Sequence, residues 1–238
     1  MTELRVEGLG KRFGGLRVFQ DLSFTLPAGG LLGVIGPNGA GKTTLINVVT
    51  GRQAASAGKV LLDGRDITNQ PAYAVSRLGL ARSFQQTNTF KSVSVAENIA
   101  RAVRFGGRGT PDGLNGLLDA FGLAPRLPEI ADKLPYGLQK MLGLVMAFAA
   151  GPKVLLLDEP AAGLERTERQ HVDTFVGHVR ASGTSVLIVE HDMDMIRRLC
   201  PRILVLDAGV LLADGPPAEV LARPDVIAAY LGDTEEAG

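Results

Sequence analysis

The sequence predicts an α/β fold: a parallel sheet with helices on both faces, joined by an antiparallel β subdomain. Three observations predict it. Through the second half, short continuous apolar runs alternate with helical segments, the pattern of strands buried on both faces of a parallel sheet. The first third instead carries alternating strands separated by glycine turns, which suits antiparallel pairing. Between them, a glycine-rich stretch separates an apolar strand from a helix.

Taken in order, Leu4-Arg5-Val6-Glu7 alternates like a strand with one buried face. Lys11 to Gly15 reads as a turn and Val18 to Leu26 as further strand. Pro27-Ala28-Gly29-Gly30 breaks that strand, and Leu31 to Ile35 is a buried one. Val60-Leu61-Leu62 ends at the turn Asp63-Gly64. From Pro71 to Ala102 the pattern is helical, interrupted around Ser83 to Lys91. Arg104 to Asn115 reads as an exposed loop, Leu117 to Leu123 as a short helix, and Gly137 to Ala150 as a helix apolar nearly all round. Val154 to Leu157 is a strand, Arg166 to Ala181 a helix, Ser185 to Val189 a strand and Asp192 to Leu199 a helix. Arg202 to Leu206 and Val210 to Ala213 form a hairpin through Asp207-Ala208-Gly209. Short helices follow from Pro216 and from Asp225, and residues 233–238 form a polar tail expected to be disordered.

Bulk properties narrow the function classes. The 238 residues suffice for one large domain, and 45% hydrophobic content suits a globular core. Lys plus Arg equals Asp plus Glu at 25 each, so no global field draws the chain to nucleic acid or anionic lipid. The single Cys200 excludes an internal disulfide and fits a reducing compartment. The first residues lack the basic end and apolar run of a signal peptide, and the run Met141 to Ala150 is too short to span a bilayer. A soluble, cytoplasmic chain is expected, with any membrane role needing a partner.

Gly36-Pro37-Asn38-Gly39-Ala40-Gly41-Lys42-Thr43-Thr44 fits the P-loop pattern, in the strand–loop–helix context that pattern requires. Its glycines let the backbone curl so that N–H groups face phosphate oxygens, and the helix N-terminus adds positive partial charge. Lys42 is expected to reach the β- and γ-phosphates, and the Thr43 hydroxyl to ligate Mg²⁺. The second half of a nucleotide hydrolase is supplied by Val154 to Glu159, whose apolar run sets two carboxylates beyond a strand's C-terminal end. Asp158 is expected to hold Mg²⁺ and Glu159 to act as general base on the attacking water. An acidic pair can also cap the following helix; beside a P-loop, the metal site is the stronger reading.

With these residues in view, the chain resembles the nucleotide-binding subunit of an ABC transporter over nearly its whole length. The P-loop and Leu155-Leu156-Leu157-Asp158-Glu159-Pro160 match that family's Walker motifs. Gln85 in Arg82-Ser83-Phe84-Gln85 matches its Q-loop, Val189-Glu190-His191-Asp192 its switch histidine, and Ala162-Gly163-Leu164-Glu165 its D-loop. Phe13 occupies the position of an aromatic that stacks on adenine, although a core aromatic is the competing reading. The resemblance implies that ATP and Mg²⁺ are bound, with Gln85 touching Mg²⁺ or the attacking water and His191 donating to the γ-phosphate. It also implies that residues 1–85 and 151–238 form the ATP-binding core with its β subdomain, while 86–150 form the helical subdomain.

One stretch departs from the family. Where the signature usually reads Leu-Ser-Gly-Gly-Gln, this chain has Leu134-Pro135-Tyr136-Gly137-Leu138. In the family two subunits pair head to tail and each signature closes on its partner's ATP. Pro135 lacks both a hydroxyl and an N–H, so this half-site is expected to be weakened, or Pro135 only fixes the start of the helix.

Asp158 to Leu164, Glu190 to Asp194 and Val226 to Gly232 are similar to importers of branched-chain amino acids; urea and amide importers share much of this wording. That resemblance implies a second ATPase subunit, two membrane permease subunits, a periplasmic binding protein and residence at the inner membrane face. The rivals are a soluble ABC-type ATPase without a membrane partner and a regulatory subunit that binds ATP but barely turns it over. Intact Lys42, Gln85, Asp158, Glu159 and His191 speak against the second.

Overall fold

The computed structural model describes residues 2–83 and 89–235. Its elements, in chain order, begin with β1 (Leu4–Phe13), β2 (Leu16–Leu26), β3 (Leu31–Ile35), α1 (Lys42–Val49), β4 (Ala57–Leu62) and β5 (Arg65–Asp66). Next come α2 (Ala72–Leu78), β6 (Leu80–Arg82), α3 (Val95–Gly106), α4 (Leu114–Ala120) and α5 (Tyr136–Ala149). The last part holds β7 (Val154–Asp158), α6 (Arg169–Ala181), β8 (Ser185–Val189), α7 (Met193–Leu199), β9 (Ile203–Asp207), β10 (Val210–Gly215), α8 (Pro217–Val220) and α9 (Pro224–Glu235).

The strands form two sheets. One has four strands in the order β2-β1-β4-β5, all antiparallel; the other has six, in the order β10-β9-β3-β8-β7-β6. Within the larger sheet every pairing is parallel except the edge hairpin of β9 and β10. Alternation of side chains explains why its strands are apolar without a break. Leu155, Leu157, Val186 and Ile188 enter a core with residues of α3 to α7. Val154, Leu156, Leu187 and Val189 enter a second core on the opposite face, with Leu45, Ile46, Val48 and Val49 of α1 and the apolar residues of β1 and β2. The small sheet thus shares one core with α1 and the large sheet, which holds the glycine-rich loop between two packed layers.

Several boundaries differ from the sequence reading. β1 runs through Lys11 and Arg12 to Phe13, leaving only Gly14-Gly15 as the turn. β6 lies inside the stretch read as helical; three residues on a sheet edge are too short to show a period, and the last of them is Arg82, whose guanidinium pairs with Asp158. α3 extends to Gly106 and α4 begins at Leu114, so the loop read from Arg104 to Asn115 is trimmed at both ends. α6 starts at Arg169 rather than Arg166. The tail is also corrected in part: α9 continues through residues 233–235, because the amphipathic start anchored by Val226 carries the polar end along as helix. No helix among the described residues is long and apolar enough to cross a membrane.

Candidate functional site

Parallel strands deliver their following loops to one edge of the sheet, and here five adjacent strands do so. Register aligns Val34 of β3, Val189 of β8 and Asp158 of β7 in one row, with Arg82 of β6 beside Leu156. The glycine-rich loop therefore begins two residues past Val34, His191 lies two past Val189, and Glu159 follows Asp158 directly. Three segments far apart in sequence meet at the carboxyl edge of a sheet whose strands are spaced about 4.8 Å apart. Gln85 lies outside the described residues.

The loop from Gly36 to Gly41 is shaped by its glycines, and at Gly36 no side chain fits. Gly36 has φ +153, and a Cβ there would stand 2.1 Å from the Leu206 carbonyl oxygen. Gly39 and Gly41 have φ of +78 and +97, the left-handed region that glycine enters without strain. Gly41 caps α1 with no side-chain hydrogen bond, and the first turn of that helix, from Lys42 to Thr44, precedes the first residue whose N–H finds an acceptor four positions back. Together with the helix dipole, the N–H groups of that turn make an anion site. The Lys42 ammonium is folded back on the loop, donating to the carbonyls of Gly36 at 2.6 Å and Pro37 at 2.7 Å. Pro37 and Ala40 are buried, while Asn38, Gly39 and Thr43 are exposed and Thr44 is half-buried.

Asp158 closes β7 and is buried, and Arg82 donates to its Oδ2 at 2.5 Å. Glu159 sits at φ +46, a conformation that costs a non-glycine residue on the order of 1–3 kcal/mol. Its N–H donates to the Val189 carbonyl at 2.9 Å, and its carbonyl accepts from the Ala162 N–H at 3.1 Å and from Lys140 Nζ at 3.4 Å. The strain turns the chain sharply as it leaves the strand, between the two acidic residues. His191 is exposed, with Nδ1 3.8 Å from Glu190 Oε2. Phe13 is 46% exposed, which removes it from the core and answers that competing reading. Lys11 Nζ lies 4.4 Å from the centre of its ring.

Two residues that the sequence reading passed over organise this edge. Glu190 is buried; its carboxylate accepts from the N–H groups of Ala161 at 2.8 Å and His191 at 3.1 Å. It ties the segment after β8 to the segment after β7, and burial pushes its carboxyl above the usual range against those hydrogen bonds. Lys140, on α5, donates to the Ala162 carbonyl at 2.9 Å. Burial lowers its pKa, opposed by the charges of Glu190, Glu159 and Asp158. The signal for both was available: a carboxylate directly after a continuous apolar strand, and one ammonium in a helix otherwise uncharged.

The signature segment lies at the start of α5. Pro135 is the N-cap, with no side-chain hydrogen bond, and its carbonyl accepts from the Gln139 N–H at 3.0 Å. The Glu168 carboxylate crowds Gly137 so closely that a Cβ there would stand 2.1 Å from Oε1. Tyr136 is exposed, and its hydroxyl lies against Gly163.

Comparison with known proteins agrees with this geometry. The family model described as ABC transporter matches residues 19–162. The model described as branched-chain amino acid ATP-binding cassette transporter matches residues 210–236. The chain is 35% identical to the high-affinity branched-chain amino acid transport ATP-binding protein LivG of Salmonella typhimurium, over 97% of this chain and 98% of that one. It is 32% identical to the lipopolysaccharide export system ATP-binding protein LptB of Escherichia coli, over 98% of each. Among solved structures, the ADP conformation of MJ1267, an ATP-binding cassette of an ABC transporter, superposes with a TM-score of 0.86 at 28% identity, covering 98% of this chain and 99% of that one. The chain belongs to the ABC transporter family, as one of its ATP-binding, ATP-hydrolysing cassettes.

Proposed function

We propose that this cassette powers an importer of branched-chain amino acids by hydrolysing Mg²⁺-bound ATP between its own P-loop and the signature of a second cassette. The observation that carries the cargo assignment is the match of residues 210–236 to the branched-chain model. Identity along the whole chain does not select a cargo, since relatives named for amino acid transport and for lipopolysaccharide export stand at 35% and 32%.

The roles follow from the chemistry of each group. Gly36, Pro37, Asn38, Gly39, Ala40 and Gly41 wrap the triphosphate with backbone N–H groups, and Lys42, Thr43 and Thr44 add the ammonium and the open helix end. Phe13 offers a ring face to adenine. Thr43 and Asp158, with Gln85, supply hard oxygen donors, the kind that Mg²⁺ prefers. A cation held by these groups would neutralise charge on the β- and γ-phosphates. Glu159 accepts a proton from water as the water oxygen attacks the γ-phosphorus and the bond to the β-phosphate oxygen breaks. His191 donates to the γ-phosphate oxygens, where charge is spread in a loose transition state.

ABC ATPase subunits of transporters act with membrane permease components. For this chain we assign the docking surface to a groove of about 640 Å³ between α2, α3 and α5, lined by Ala72, Tyr73, Phe90, Phe105, Met146 and Ala147. Tyr73, Phe90 and Phe105 are exposed aromatics, and such rings are common anchors at interfaces. The full assembly in this reading has two cassettes and two permease subunits at the inner membrane face, fed by a periplasmic binding protein. The test is uptake of labelled leucine and of labelled urea by cells lacking this gene, complemented with the wild type or Lys42→Ala. Loss of leucine uptake restored only by the wild type supports the reading; normal leucine uptake in the deletion, or loss of urea uptake alone, overturns it.

A further inference from the structure

Arg82 stands between the metal ligand and the docking groove, and neither motif accounts for it. Its guanidinium donates to Asp158 Oδ2 and to Asn47 Oδ1, each at 2.5 Å. The side chains of this ion pair are 8% and 4% exposed, so both charges are held out of water. Asn47 lies four residues after Thr43 on α1, one helical turn on and therefore on the same face. One cation thus bridges the helix that carries Thr43 and the strand that carries Asp158. Arg82 and Lys140 also line the groove, together with the aromatics assigned to the membrane partner.

We infer that Arg82 is an internal counter-ion of Asp158 that competes with the divalent cation for this carboxylate, and that the groove controls the competition. The argument rests on the reading of Asp158 as a Mg²⁺ ligand. A buried carboxylate left without a counter-charge bears a heavy desolvation penalty, so the pair stabilises the metal-free chain. The same positive charge repels a dication approaching Asp158, and in a site removed from water that repulsion is weakly screened. Arg82 therefore lowers metal affinity. By linkage, a partner that draws the guanidinium toward the groove raises metal affinity, and metal binding favours the displaced guanidinium to the same extent. Arg82 is a positioning residue: it acts through Asp158, and it offers a physical path between the docking surface and the nucleotide.

The test is fluorescence titration of the isolated chain with trinitrophenyl-ATP across a range of Mg²⁺ concentrations. In the wild type, affinity for the nucleotide rises with Mg²⁺, and Asp158→Asn removes that rise. Arg82→Met lowers the half-saturating Mg²⁺ concentration by about tenfold, because one unit of positive charge is gone from the site. Arg82→Lys keeps the charge and stays within about twofold of the wild type. Asn47→Ala, which leaves the ion pair but loosens the guanidinium, shifts the midpoint the same way by a smaller factor and serves if Arg82→Met does not fold. An unchanged or raised midpoint in Arg82→Met, or in Asn47→Ala when it stands in, overturns the inference while leaving Mg²⁺ binding intact. A wild type indifferent to Mg²⁺ removes the inference together with the reading beneath it.

Discussion

The carboxyl edge of the large sheet and the start of α5, which the proposed function assigns to the same chemistry, are held in place to opposite degrees. At the sheet edge, each group is fixed from several sides. Gly36 is packed against the Leu206 carbonyl, Lys42 is 9% exposed, and Glu159 is held at positive φ by contacts from β8 and α5. At the start of α5, Pro135 and Tyr136 are exposed, the helix has no side-chain cap, and a carboxylate of the same chain crowds Gly137. The first region completes a site within one chain, so packing specifies it. In the proposed function the second is a half-site offered to another chain, and apart from the crowding at Gly137 its own fold constrains its residues less.

The contrast can be broken most severely at the base. Glu159→Gln preserves the backbone turn and removes the proton acceptor, so single-turnover hydrolysis should fall by about 10²- to 10⁴-fold while ATP binding persists. Equal loss of binding and hydrolysis would instead make Glu159 a structural residue. Next comes the cradle. Gly36→Ala drives a methyl group to 2.1 Å from a backbone carbonyl, so ATP binding should be lost and the melting temperature should drop by several degrees. Gly39→Ala meets nothing within 4 Å and should cost only about 1–2 kcal/mol of left-handed strain. A thermal melt of the pair distinguishes close packing from mere backbone freedom.

The half-site is sharpened by Pro135→Ser. In the assembled transporter, the regained hydroxyl should raise ATPase activity by about tenfold, the worth of one hydrogen bond to a charged group. The isolated chain should melt within a degree or two of the wild type, since Pro135 is exposed and caps nothing with its side chain. An unchanged rate in the complex would leave Pro135 with only the geometry of the helix start to set.

The smallest effect concerns Glu190. Burial holds its folded-state pKa above the ordinary glutamate value of 4.5, so the unfolded chain releases this proton first. Its contribution to stability is then fully present below the unfolded pKa and is lost as pH rises through the folded one. Glu190→Gln should flatten the fall in unfolding free energy from pH 4.5 upward, at the cost of about 1 kcal/mol for one acceptor no longer shared by two N–H groups. Denaturant midpoints measured across that range check the slope; a slope equal to the wild type would deny that Glu190 titrates differently on folding.

The sequence made the same division visible. β3, β7 and β8 were legible because strands buried on both faces must be apolar throughout, and the glycine loop because only glycine tolerates its backbone. β6 was not legible, since a three-residue edge strand ending in Arg82 has no period to read. Glu190 and Lys140 stood out by position, but what they hold was hidden for a different reason. Their partners are backbone groups of Ala161 and Ala162, brought close only by the pairing of β7 with β8 and the packing of α5. The Asp158–Arg82 pair likewise spans 76 positions and is visible only once β6 lies beside β7.

The most direct measurement is a crystal structure of Glu159→Gln grown with Mg²⁺ and ATP. The triphosphate should lie within the loop from Gly36 to Thr44, with the cation near Thr43 and Asp158 and residue 159 facing the terminal phosphate. A nucleotide bound elsewhere on the chain, or an empty loop beside carboxylate and amide side chains turned away from it, would contradict the account.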